Sequence, residues 1–68
     1  MGRLDEAARE LRQLVKDDPE NAGALTNLGV VLLQQRRARE ARPYLEEALR
    51  IAPGMPQAAE ALRTIGAP

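Results

Sequence analysis

Set against itself at an offset of 34 residues, half its length of 68, the chain matches at the two prolines that close its helical stretches, Pro19 and Pro53. It also matches at Arg3/Arg37, Glu6/Glu40, Ala7/Ala41, Leu11/Leu45, Ala24/Ala58 and Leu28/Leu62. Seven matches are few, but they concentrate on apolar stripes and chain breaks, where chance matches would scatter over solvent faces as well. A fixed period of this size signals a repeated supersecondary unit, which buries its apolar face by stacking on neighbours.

Between the breaks every stretch has helical spacing. Leu4, Ala7, Ala8, Leu11, Leu14 and Val15 recur at three- and four-residue steps, and Arg9, Glu10, Arg12, Gln13 and Lys16 cover the opposite side. The spacing predicts a helix over 3–17, ended by Pro19, because the residue before a proline avoids helical dihedrals. Asn21 is a good N-cap for a second helix, and Leu25, Leu28, Val31, Leu32 and Leu33 give it a face broad enough for neighbours on two sides. Pro53-Gly54-Met55-Pro56 marks another break, and Pro56 suits the first turn of a last helix carrying Ala58, Ala59, Ala61, Leu62 and Ile65. No stretch alternates with period two, so the expected class is all-α.

The boundary inside 21–52 stays open at this level. Gln34-Gln35-Arg36-Arg37-Ala38-Arg39-Glu40 contains no Gly, Pro, Asn, Asp or Ser, so propensity runs one helix through it. Pro43 opposes a smooth rod, since inside a helix it removes a backbone bond at a cost of about 3 kcal/mol. A break and a continuous 21–51 helix are the two alternatives.

Composition removes several classes of chemistry. There is no His or Cys, which excludes thiolate zinc sites, disulfides and the usual general base. The remaining nucleophile candidates, Tyr44, Lys16, Thr26 and Thr64, lack a partner that could activate them, so no catalytic, cofactor-binding or metal site is expected. Asp17, Asp18 and Glu20 lack the spaced ligands and glycine of a calcium loop. Arg36, Arg37, Arg39 and Arg42 form a basic cluster, but Glu40, Glu46 and Glu47 lie within helical reach, as in the four-residue pairs Arg42–Glu46 and Glu46–Arg50. The only aromatic residue is Tyr44 and formal net charge is zero, so a solvated face is preferred to nucleic-acid binding. No apolar run nears the roughly 20 residues of a membrane span. Met1-Gly2-Arg3-Leu4-Asp5 lacks a signal-peptide layout, which favours a cytoplasmic location.

A 34-residue helix–turn–helix period resembles the tetratricopeptide repeat. Leu25, Leu28-Gly29 and Leu32 stand where that family has its bulky–Leu–Gly–Tyr run, and Ala41, Leu45 and Ala48 match its small, large, small residues on the second helix. Pro53 matches its closing proline, whereas Arg36-Arg37 replace its usual Gly-Asp turn. The resemblance implies about four antiparallel helices of an α-solenoid in a shifted frame, as a single module over 1–68. Residues 3–17 would be the second helix of a partial repeat, 22–55 one full repeat, and 56–66 the first helix of a further partial repeat or a cap.

The family's first helices line a groove that grips an extended peptide or a partner helix. The resemblance implies a protein or peptide partner at Thr26, Asn27, Val30, Leu33, Gln34 and Glu60, with Gly23, Gln57 and Thr64 also facing outward. Thr26 and Val30 stand at two places where some members carry a carboxylate clamp, so that clamp is not expected. Stacked repeats share faces, and about three are usually needed for stability. Leu4, Leu11 and Leu14 at one end, or Leu62 and Ile65 at the other, are therefore expected to be bare and to drive self-association into a homo-oligomer, by end-to-end stacking or by exchange of helices through an unbroken 21–51 helix. The alternative is a four-helix monomer with these residues folded inward.

Overall fold

The computed structural model describes residues 2–66. Four α-helices follow one another: α1 (Gly2–Asp17), α2 (Ala22–Gln34), α3 (Ala38–Ile51) and α4 (Pro56–Gly66). There is no strand among the described residues. Helix α2 is the centre of the arrangement and packs against all three others. That position explains its composition: from Ala22 to Gln34 it carries no charged residue, and Ala24, Leu25, Thr26, Leu28, Gly29 and Leu32 are all buried.

Local chemistry starts α2 as its sequence suggests. The Asn21 side-chain oxygen accepts a hydrogen bond from the Ala24 N–H at 3.0 Å, satisfying a backbone donor that the first turn leaves free. The end of α2 settles the open boundary in favour of a break. Arg36 takes φ 63°, the left-handed region, and is the only non-glycine residue described there. The Arg36 N–H donates to Leu33 O at 2.9 Å and the Arg37 N–H to Leu32 O at 2.8 Å. This pair of bonds is the Schellman ending, usually built on glycine. A continuous 21–51 helix is thereby overturned, and the strained residue is an arginine.

The turn brings α3 back along α2. Ala41, Leu45 and Ala48 are fully buried on α3, and so are Leu28 and Leu32 on α2. The closest approach is at Gly29, where an added Cβ would lie 2.5 Å from both Cγ and Cδ2 of Leu45. Glycine is required there by proximity. Pro43 lies inside α3 but is exposed, as are its neighbours Arg39 and Arg42, so the carbonyl deprived of its N–H partner can turn to water. Helix α1 sends Ala8 into the core, with Leu11 and Val15 packed beside it, while α4 buries Ala58 and Ala61. Tyr44 is half-buried against the same core.

Polar contacts tie the outside together. Arg12 of α1 reaches Glu40 of α3 at 3.5 Å, and the Gln35 amide donates to Asp5 at 2.6 Å. Arg50 forks onto Glu47 at 2.6 Å and reaches Glu20 in the α1–α2 loop at 3.4 Å. The hydrogen bond from Arg50 holds the Glu47 carboxyl below its ordinary 4.5 and raises the Arg50 guanidinium in turn.

Candidate functional site

The surface that could receive a ligand lies between α2 and α4. Their exposed edges form a shallow groove of about 340 Å³ lined by Asn27, Val30, Gln57, Glu60, Ala61 and Thr64. Each helix contributes residues at helical spacing: Asn27 and Val30 from α2, and Gln57, Glu60, Ala61 and Thr64 from α4. Val30 and Ala61 make an apolar floor. Asn27 and Gln57 offer side-chain amides that make no hydrogen bond within the chain among the described residues, and each can donate and accept. The Thr64 hydroxyl donates back to the Glu60 carbonyl at 3.1 Å, which leaves its oxygen free to accept. Glu60 is the one charged side chain lining the groove and makes no ion pair among the described residues.

Of the six partner-binding positions read from the sequence, the structure brings Asn27, Val30 and Glu60 together in the groove. Thr26 requires correction. Its side chain is fully buried, with Oγ1 donating to the Ala22 carbonyl at 2.8 Å and lying 3.4 Å from the Met55 sulfur. A hydroxyl that bonds its own helix one turn back needs no water, so polarity alone does not place it outside. Leu33 is half-buried and packed against the core, outside the groove lining. Gln34 is exposed and continues the Asn27–Val30 stripe past the end of the groove. Ala61, assigned by its spacing to the interior, is at once buried and part of the floor.

The residues expected to be bare at the two ends are mostly tucked in. Leu11, Leu62 and Ile65 pack against the core, and Leu4 is half-buried. Leu14, at 43% exposure, is the single large apolar side chain left exposed among the described residues. The contrast is visible in the repeat. Ala7, Leu11 and Leu14 stand 34 residues before Ala41, Leu45 and Ala48, which are fully buried, whereas Ala7 and Leu11 are only half-buried and Leu14 is exposed. The α4 end is different: 34 residues after the buried Thr26 and Gly29 come Glu60 and Arg63, both exposed.

Elsewhere the surface offers less. A wider depression of about 510 Å³ over Glu6, Arg9, Glu10 and Gln13 is walled by α1 alone, so no second element can close on a ligand there. In the arginine cluster, Arg42 lies 4.0 Å from Glu46, and Arg50 takes Glu47 as its partner in place of Glu46. Asp17 accepts a hydrogen bond from the Gln13 amide at 3.1 Å, which fits its place at the end of α1. No helix is long and apolar enough to cross a membrane, and no cluster of carboxylates suited to a metal occurs, among the described residues.

Comparison with known proteins finds no match among curated proteins and none among solved structures. A family model described as tetratricopeptide repeat matches residues 1–56, a stretch that runs from α1 to the start of α4. With the close Gly29–Leu45 contact, the buried small residues of α3 and the paired antiparallel helices in place, the chain belongs to the tetratricopeptide repeat family.

Proposed function

We propose that the chain acts as a non-enzymatic binding module that takes an extended peptide segment of a partner protein across the α2–α4 groove. Repeats of this family generally mediate protein–protein interaction and typically carry no catalytic activity. The observation that carries the reading is the groove itself: two helices contribute its walls, its floor is apolar, and the amides of Asn27 and Gln57 are free to bond a peptide backbone. From Gln57 to Thr64 a helix advances about 10 Å, enough for about three extended residues. A contact of that size is weak and transient, and its strength comes from a few well-placed groups.

Selection from a displayed random-peptide library, followed by titration of the winners, tests this. Replacing both Asn27 and Gln57 by Ala, at exposed positions, is expected to remove binding while leaving the melting curve unchanged. Winners that bind the doubly substituted protein as well as the parent defeat the groove reading.

A second reading is favoured by Leu14. Its exposure on α1 supports self-association into a homo-oligomer through that helix. Sedimentation showing a monomer at high protein concentration, with Leu14→Glu behaving identically, counts against it.

A further inference from the structure

We propose that the α2–α4 groove selects a peptide carrying a cationic side chain, set beside a small apolar residue, and does not require a terminal carboxylate. This rests on the groove reading above and specifies the ligand. The charge inventory of the lining is one-sided. Helix α2 contributes no charge anywhere between Ala22 and Gln34, so every fixed charge facing the ligand comes from α4. There Glu60 lines the groove with no ion pair, whereas Arg63 lies outside the lining. The other polar groups, Asn27, Gln57 and Thr64, are neutral. A lone carboxylate among neutral groups attracts an ammonium or guanidinium and repels a carboxylate, whether side chain or chain terminus.

The remaining contacts define the neighbour of that cation. Val30 and Ala61 form a floor with room for a short branched side chain, since Ala61 contributes a single methyl group and is itself buried. The amides of Asn27 and Gln57 match alternating backbone N–H and C=O groups of an extended segment. The ligand is thus a backbone-bonded stretch with a small apolar residue on the floor and Lys or Arg reaching Glu60.

The test uses amide-labelled protein and three end-blocked pentapeptides, acetyl-Ala-Val-X-Val-Ala-amide, with X as Lys, Gln or Glu. Titrations are followed by the backbone resonances of Asn27, Val30, Gln57 and Ala61. The expected order of affinity is Lys, then Gln, then Glu, with Lys ahead of Gln by roughly two- to fivefold at low salt. That margin should vanish at about 1 M salt, where the screening length is about 3 Å. It should vanish equally in Glu60→Gln, whose substitution at an exposed position leaves the fold intact, as checked by the same spectra. Gln or Glu peptides binding as tightly as Lys overturn the cation preference and leave the groove reading standing. If no peptide moves the groove resonances, the groove reading falls and takes this inference with it.

Discussion

Replacing Arg36 by glycine changes one backbone position and tests the architecture of the turn. Arg36 holds φ 63°, where a side chain crowds the following carbonyl at a cost of roughly 1–2 kcal/mol. Glycine removes that cost but gives up about 0.4–1 kcal/mol through the greater freedom of the unfolded chain. The net expectation for Arg36→Gly is a gain of roughly 0.5–1 kcal/mol. In a domain of this size that corresponds to a rise in melting temperature of about 2–8 °C. Arg36→Ala is the matched control, since it keeps the strained dihedral and removes only an exposed side chain. If residues 21–51 formed one helix in solution, the ranking would reverse, because glycine inside a helix costs about 1 kcal/mol relative to alanine. Thermal and urea melts by far-ultraviolet circular dichroism therefore decide by sign. A glycine variant that melts below the alanine variant refutes the broken-helix turn, whatever the absolute values.

Other perturbations probe separate contacts. Gly29→Ala places a methyl group 2.5 Å from a fully buried Leu45, and overpacking of about 1–3 kcal/mol outweighs the helix-propensity gain of about 1 kcal/mol, so urea melts should move to lower midpoints. Pro43→Ala restores a backbone hydrogen bond on the exposed side of α3 and should stabilise by about 1–3 kcal/mol; an unchanged melt would mean that Arg39 and its neighbours already accommodate the missing bond without cost. Glu47 is held below 4.5 by Arg50, so its contribution is fully present above that value and is lost as pH falls through the lowered one. The melting temperature of the parent should accordingly fall more steeply with acid than that of Glu47→Gln, in melts run across the carboxylate range.

The punctuation of the chain made α1, α4, the start of α2 and the end of α3 readable. Pro19, Asn21, Pro53 and Pro56 act through fixed dihedrals and a local cap, so each marks a boundary without help from the rest of the fold. The α2–α3 turn was different in kind. Nothing in Gln35-Arg36-Arg37 favours a positive φ, and the turn is held by tertiary packing: the antiparallel return that seats Leu45 on Gly29 outweighs the local strain. The groove followed the same division. Asn27, Val30 and Glu60 lie on stripes that repeat spacing reveals, whereas Thr26 hides its hydroxyl inside its own helix and Leu33 leans on the core. The inward tilt of Leu62 and Ile65 depends on how α4 meets α2 and α3, which spacing along one helix cannot report.

The exchange of Thr26 and Gly29 for Glu60 and Arg63 one period later has a consequence for growth by copies of the chain. Head-to-tail contacts that close no ring extend without limit. Extension here requires α4 of one copy to cover α1 of the next as α2 covers α3. That arrangement sets Arg63 against Leu11 where Gly29 meets Leu45, and an unpaired buried charge costs on the order of several kcal/mol. Arg63 therefore opposes addition in that direction, a charge standing where the covered pair inside the chain has a glycine.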